Sequence, residues 1–403
     1  LDACVTHSDN TAVGTGALGA TTANKNTAVG SSALNANTTG DTNTAVGYYA
    51  LVANTTASYN DAFGGNALKT NTTGNSNAAI GYNALYYNTT GDDNVAVGRN
   101  ALHNNTTASY NTAVGRSSLQ SNTTGANNTA IGYTALFANT TGSWNAALGN
   151  HALDALTTGT QNSAVGYNAL GVLTTGTENV GLGYDSGIAI TTGQRNICLG
   201  RTAGGAITTA NNNIAIGAYA AFYENNNLTT GGNNIFVGHY TMPSASDTTY
   251  EKTFGYYITG AASSTTFGNS TTDSRIADGA TTITAPSDVR LKEDIQDEKV
   301  GLDFINELRP VTFRWKKEKD VPKELKAHGE GSEKRVMNGK YNHGFIAQEV
   351  KEVLDKNPDI KDGFDMWTED ADGRQRIGEG SLVPLLVKAI QELSTKIDAL
   401  EAK

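Results

Sequence analysis

Near residue 290 the hexapeptide Ser287-Asp288-Val289-Arg290-Leu291-Lys292 places a hydroxyl five residues ahead of an amine, with a carboxylate and a guanidinium between them. These residue types could support nucleophilic cleavage of the chain. A serine attacks only when a base takes its proton, and a lysine desolvated at an interface can be that base near neutral pH. A spacing of five lets both side chains converge on a turn or a bent strand. The segment looks like a built-in cut site.

Its place in the chain supports that reading. Residues 1–286 hold 8 basic and 14 acidic residues, whereas residues 287–403 hold 21 and 25, so the shorter part carries most of the charge. All six prolines lie at or beyond Pro243. A repetitive body is therefore joined at the hexapeptide to a different kind of domain, and 403 residues exceed one ordinary domain. The net charge of −10 is split −6 and −4 over the two parts, and no basic patch stands out, which argues against nucleic acid as a partner. No apolar run long enough to span a membrane exists. Leu1-Asp2-Ala3-Cys4 distantly resembles a lipoprotein cleavage box but lacks the apolar stretch before it. The chain opens in the middle of a repeat, which suggests that an N-terminal part is missing. Two cysteines cannot build a disulfide framework, and Cys198 stands where the repeat elsewhere has mostly Ala, so it reads as a small buried residue. Nothing calls for a metal or a cofactor.

The body repeats with a period of 17: Asn recurs from Asn26, Asn43 and Asn60 through to Asn196 and Asn213, with an early copy at Asn10 and a late one at Asn234. A fixed period of this size means stacked coils. Three places after each Asn stands a branched or aromatic apolar residue (Val46, Phe63, Ile80, Val97), and five further on stands Leu (Leu51, Leu68, Leu85, Leu102). These two columns are expected to form the core, and each unit is expected to hold two short strands and two turns. Glycine follows the first apolar column in every copy, as at Gly47 and Gly98, where a corner demands positive φ or close backbone approach. The Asn column suits stacked side-chain amides. One coil buries too little apolar area to offset ordering 17 residues at roughly 1–2 kcal/mol each, so stacking is obligatory and chain association is expected. Fourteen coils at ~4.8 Å give a rod of about 65 Å.

These units resemble the β-roll repeats of trimeric bacterial adhesin heads and the related repeats of phage tail fibres, over most of residues 10–238. From Asn179 the pattern decays, with Gly187 and Gly204 in the Leu column, which reads as the end of the array. Residues 239–286 then form a β-rich tip or linker carrying Tyr240, Tyr250, Tyr256 and Tyr257. On an exposed tip such aromatics suit stacking on sugar rings, and in a small β unit they form its core; both readings stay open.

Beyond Ser287 the pattern is α+β. Phe304–Pro310 reads as a helix stopped by proline, and Val311–Trp315 alternates like a strand. Tyr341–Val350 leads into an amphipathic helix through Leu354. Val383, Leu386, Ile390, Leu393, Ile397 and Leu400 step by three and four, the spacing of an interchain coiled coil over 383–400; branched residues at one seam position with Leu at the other would by themselves favour a dimer, and a helix packed on its own domain is the alternative.

This part, residues 287–403, resembles the intramolecular chaperone domain of endosialidase-type tail spikes. The resemblance rests on the hexapeptide, Leu308-Arg309-Pro310 with Phe313-Arg314-Trp315, the Gly344-Phe345-Ile346-Ala347-Gln348-Glu349 motif and the terminal helix. It implies a homotrimer whose tail domains align the repeats and then cut themselves away, with Ser287 as nucleophile and Lys292 as base. Asp288 and Arg290 are assigned to positioning. The family suggests cleavage of the bond after the serine; attack by that serine on its own carbonyl would close a four-membered ring, so a neighbouring chain or an activated water is expected to help.

The whole reads as a mainly β trimeric fibre for attachment to a glycan or protein receptor of a target cell, in a virion tail or on a bacterial surface. Two other classes compete. A glycan-degrading spike would need paired carboxylates, for which Asp273 and Asp278 are the pair to test. An ice-binding solenoid would use the Thr-Thr columns (Thr55-Thr56, Thr72-Thr73), of which only one Thr per coil can face outward on a strand.

Overall fold

The computed structural model describes residues 8–402 other than 224–225, 281–282, 285–286, 288, 290–291, 324, 326, 338, 358–359, 361–365 and 370–374. Cys4 therefore lies outside the described residues. The chain divides into two compact units, Leu1–Ser287 and Asp288–Lys403.

In the first unit each coil contributes one three-residue strand, such as Thr44–Val46, to a single parallel ladder. Successive coils pair in register, Thr27 with Thr44, Ala28 with Ala45 and Val29 with Val46. Sixteen such strands among the described residues run from Thr11–Val13 to Ser264–Asn269, a β-solenoid of about 70 Å at ~4.8 Å per strand. Asp273–Ala277 then pairs antiparallel with the last of them and closes the ladder in a small β tip.

The second strand expected in each coil does not form. Its place is taken by a tight arc in which residues of opposite handedness alternate, as at Tyr49 (φ 56°) and Leu51 (φ 50°). The arc still bonds coil to coil: Tyr49 N–H donates to Ser31 O (3.0 Å), and Leu51 N–H to Ala67 O (3.0 Å). Left-handed backbone penalises β-branched side chains most, which explains why this column holds Leu, Gly or, at Ala221, Ala, and never Val or Ile. At the corner, Gly98 has φ 133°, and a Cβ there would lie 2.6 Å from Gly115 O, so both causes weighed for this column operate together.

The expected core also needs correction. Strand residues alternate inward and outward, and Asn43 and Ala45 take the inward places, leaving Thr44 and Val46 on the outer face. The core is instead Ala45, Ala50 and Leu51 of each coil, all fully buried. The strand and the arc lie close together, so in most coils a methyl group fills the space under the strand and the Leu of the arc fills the rest. The branched column is turned out: Phe63, Ile80 and Leu182 are 40, 46 and 50 % exposed.

Two ladders of buried amides run through the stack. In the first, Asn43 donates from N and Nδ2 to Asn26 Oδ1 (2.9 and 3.2 Å) and from Nδ2 to Ala57 O (2.9 Å). It ends where Glu251 N–H donates to Asn234 Oδ1 (2.9 Å); the buried Glu251 carboxylate accepts from Ser244 N, Ser244 Oγ, Thr248 Oγ1 and Thr253 Oγ1. The second ladder, Asn37 to Asn139, is built from the Asn of each Asn-Thr-Thr, with Asn54 Nδ2 donating to Asn37 Oδ1 (2.8 Å). It stops at Asn139, whose Oδ1 is buried without a partner, and Leu156, Leu173, Ile190, Ile207 and Leu228 continue the column. Asn-Thr-Thr matches a glycosylation acceptor, yet these amides are sealed inside the coil.

The decay expected after Asn179 is a repacking, since coils continue to Asn269. Where Gly187 and Gly204 replace Leu, Ile190 and Ile207 have replaced the second Asn. A Cβ on Gly187 would lie 2.7 Å from Leu170 Cδ2 and 3.0 Å from Ile190 Cδ1, and one on Gly204 would lie 2.6 Å from Cys198 Sγ, so the bulk has moved from one column to another. Phe236 fills an Ala position two coils further on.

The second unit is small. Helix α1 (Leu302–Glu307) precedes an antiparallel pair, Val311–Phe313 with Asn342–Gly344. Helix α2 (Ala347–Lys356), a hairpin of Trp367–Glu369 with Gln375–Ile377 and helix α3 (Leu382–Glu401) follow. Phe304, Val350, Leu354, Met366 and Leu385 form its core.

The ladders make unequal predictions for one substitution. Asn94→Leu removes the acceptor of Asn111 N–H (3.0 Å) and should lower unfolding stability by about 2 kcal/mol or more. Asn139→Leu moves the orphan oxygen from Asn139 to Asn122 and should cost under about 1 kcal/mol. Chemical denaturation followed by circular dichroism measures both.

Candidate cleavage and binding sites

Ser287 is the last residue of the first unit and is exposed. The chain then turns, with Lys292 N–H donating to Val289 O (3.1 Å), and Lys292 too is exposed. Asp288 and Arg290 lie outside the described residues. Both side chains of the expected dyad are thus open to solvent.

In the tail unit, motifs distant in sequence meet. Arg309, of Leu308-Arg309-Pro310, holds Glu349, the last residue of the Gly344–Glu349 motif, by a two-pronged ion pair, with Nε to Oε2 at 2.9 Å. That pair lowers the Glu349 carboxyl and raises the Arg309 guanidinium from their ordinary values, in both cases through the hydrogen bond first. Phe313 and Trp315 meet edge to face at 5.4 Å. Arg314 lies 5.2 Å from the Tyr341 ring and donates to Gly339 O (2.8 Å). The polar stretch around residue 330 is held by Glu333, which accepts from Lys317 and Lys319 together. A cleft of about 580 Å³ opens between Leu308, Val311, Phe345, Leu382 and Leu386. Helix α3 buries Leu382, Leu385 and Ala389 and leaves the whole heptad seam outside, from Val383 (57 % exposed) to Leu400 (70 %).

The four tyrosines of the expected tip separate. Tyr240 and Tyr257 join a ring cluster with Tyr219 and Tyr223: Tyr219 stacks on Tyr240 at 5.1 Å, and Tyr257 Oη donates to Tyr223 Oη (3.2 Å). Tyr256 packs on His239 beside them at 5.7 Å. Tyr250 stands apart, exposed in the column that precedes the buried Asn, with Tyr59 and Trp144. Sequence reading missed Tyr219 and Tyr223 because they precede the presumed tip; the step from Asn213 to Asn234 is four residues longer than the period of 17, and a hairpin of Phe222–Tyr223 with Asn226–Asn227 in that longer unit brings Tyr223 to the cluster. Asp273 and Asp278 do not face each other as a catalytic pair would. Asp273 binds Arg275 (2.7 Å) and Asp278 binds Lys252 (2.9 Å). Of each Thr-Thr, the first donates to the next coil, as Thr55 Oγ1 to Thr72 O (3.1 Å), and the second, Thr56, is exposed. Among the described residues no three His, Cys, Asp or Glu gather as metal ligands, and no helix is long and apolar enough to cross a membrane.

Two measurements follow from local electrostatics. Burial pushes the Cys198 thiol up to about 12, so in a Cys4→Ser background it should resist alkylation until the solenoid unfolds. Hydrogen bonds from Lys317 and Lys319 lower the Glu333 carboxyl to about 2. A lowered carboxylate stabilises the fold above its usual range and ceases to do so as pH falls through the folded value. The protection factor against hydrogen exchange of Val336 N–H, which donates to Lys316 O (3.0 Å), should therefore fall as pH drops toward about 2, and not in Glu333→Gln.

Residues 287–357 match the sequence family described as chaperone of endosialidase, a match that opens on Ser287 and closes just after α2. Neither the curated proteins nor the solved structures give a match to this chain. The chain thus joins a β-solenoid of about fifteen turns to a segment, residues 287–357, that matches the chaperone-of-endosialidase family, which fits a tail fibre with a chaperone domain of that type.

Proposed function

We propose that this chain is one third of a homotrimeric fibre that attaches to a cell surface, and that its C-terminal domain gathers three chains before cutting itself away beside Ser287. The observation that carries the reading is the outer face of the ladder. Sixteen branched or aromatic residues, from Val13 to Phe267, stand one per coil without a polar interruption. Nine are more than a third exposed and the other seven half-buried, which offers on the order of 1,000 Å² per chain, the size of a stable interface. A partner with the same pitch covers such a stripe without gaps, and another copy of this chain has that pitch. The exposed seam of α3 is the second apolar stripe, and the resemblance of the tail makes the number of chains three.

Near-identical coils can also pair one step out of register at the loss of only their end contacts. A domain that starts three chains together removes that error, and its removal leaves a fibre that reopens slowly. Ser287 acts as nucleophile and Lys292 as base in this reading, with Asp288 and Arg290 positioning them. Lys292 is exposed in the single chain, so the burial that turns a lysine into a base has to come from assembly, which would hold cleavage back until trimers form. Tyr240, Tyr250, Tyr256 and Tyr257 are the receptor contacts proposed at the far end of the solenoid. The location in a virion tail or on a bacterial surface belongs to the same proposal. No feature of Asp273, Asp278 or the Thr columns favours a glycosidase or an ice-binding role instead.

The test is the intact mass and native oligomeric state of freshly expressed protein beside Ser287→Ala and Lys292→Ala. Wild type should give trimers of about 29 kDa chains and a fragment of about 13 kDa, while both variants stay whole. An uncut, monomeric wild type would sink the proposal.

A further inference from the structure

The column directly after the corner glycine has a composition that folding does not explain. In sixteen coils it holds six tyrosines (Tyr48, Tyr82, Tyr133, Tyr167, Tyr184, Tyr256) and three arginines (Arg99, Arg116, Arg201). It holds no acid, although acids outnumber bases 14 to 8 in residues 1–286. Gly65 and Ala218 occupy the same place with the ladder intact on either side, so the backbone demands neither ring nor guanidinium there. All nine of these side chains are exposed.

Resting on the attachment reading above, we propose that this flank of the solenoid is a binding strip for a linear acidic polysaccharide, one sugar lying against about one coil. The rings are already ordered. Tyr167 and Tyr184 stack at 5.4 Å with planes 13° apart, Arg116 lies 5.9 Å from the Tyr133 ring, and Arg201 bridges Tyr184 and Tyr219 at 5.9 and 5.5 Å. Tyrosines fixed in this way lose little freedom on binding. Their hydroxyl edges suit sugar hydroxyls, and the guanidiniums suit carboxylate or sulfate.

The cations are intermittent, in adjacent coils at Arg99 and Arg116 and then only at Arg201. That spacing fits a polymer charged at some of its sugars. A nucleic acid carries a charge on every unit and would meet a body of net charge −6. The two carboxylates beside the strip are occupied: Asp154 by His151 (3.2 Å) and Asp185 by Asn168 Nδ2 (2.9 Å).

Affinity electrophoresis of the full chain through gels holding polygalacturonate, alginate or hyaluronate tests the strip, with neutral dextran and a thymidine oligonucleotide as controls. At least one acidic polysaccharide should retard the protein, and Arg116→Gln with Arg201→Gln, or Tyr167→Ser with Tyr184→Ser, should weaken it about tenfold while the trimer and its circular dichroism are unchanged. Retardation by none of the three, equal retardation by the oligonucleotide, or no change in either flank variant overturns the strip. On a glycan array, binding lost only in Tyr240→Ser with Tyr257→Ser would overturn the strip while leaving the attachment reading in place.

Discussion

The interior of each coil is barely one side chain thick, and the rest of the structure follows from that. A strand of three residues offers one inward position, and the opposite arc lies so close that alanine fills it in most coils, with Cys198 and Phe236 as larger exceptions near the end of the array. Apolar burial within a coil is therefore small, and stability has to come from contacts along the stack. Hydrogen bonding reflects the same constraint, because N–H groups alternate toward the coil before and the coil after, as at Gly47 to Val29 and Leu51 to Ala67. Close stacking of coils also fixes the corner glycines, since a Cβ at Gly47 would lie 2.4 Å from Gly64 O.

Within so thin a core the buried asparagines do what a larger protein does with apolar side chains. Each amide donates toward the preceding coil and offers its oxygen to the next, so a ladder is directional and has to be ended. One ends on the backbone N–H of Glu251; the other meets Leu156 and leaves Asn139 Oδ1 unsatisfied. Past that point aliphatic residues take over the column, and bulk is traded with the Leu column at Gly187 and Gly204. The solenoid is thus two differently filled sections on one backbone.

A thin core also forces large apolar residues outward. The stripe from Val13 to Phe267 and the seam of α3 are what a single chain cannot bury, and both are regular at the spacing of their own secondary structure. In the trimeric fibre proposed above, that regularity would make pairing of copies favourable and misregister easy, which would give a chaperone domain at the end of the repeats its physical purpose. The exposed position of Ser287 and Lys292 is consistent with a cut that waits for a partner surface.

The sequence by itself determined the coil length, the stacking, the corner glycines, the boundary at Ser287 and the tail domain. Each of these rests on a local rule: a period of 17, a residue that must tolerate positive φ, a change in charge and proline content, or a run of motifs in order. Tertiary structure alone decided which columns face inward. Val46 and Leu51 look equally apolar in sequence, and only the distance across the coil turns one out and the other in. It decided that the arc is no strand, that the second Asn of the units from Asn37 to Asn139 is a buried amide, and that Gly187 is compensated by Ile190 rather than marking an end. It also gathered Tyr219, Tyr223, Tyr240 and Tyr257, which lie up to two coils apart, because side-chain neighbours in a solenoid are set by stacking and not by position along the chain.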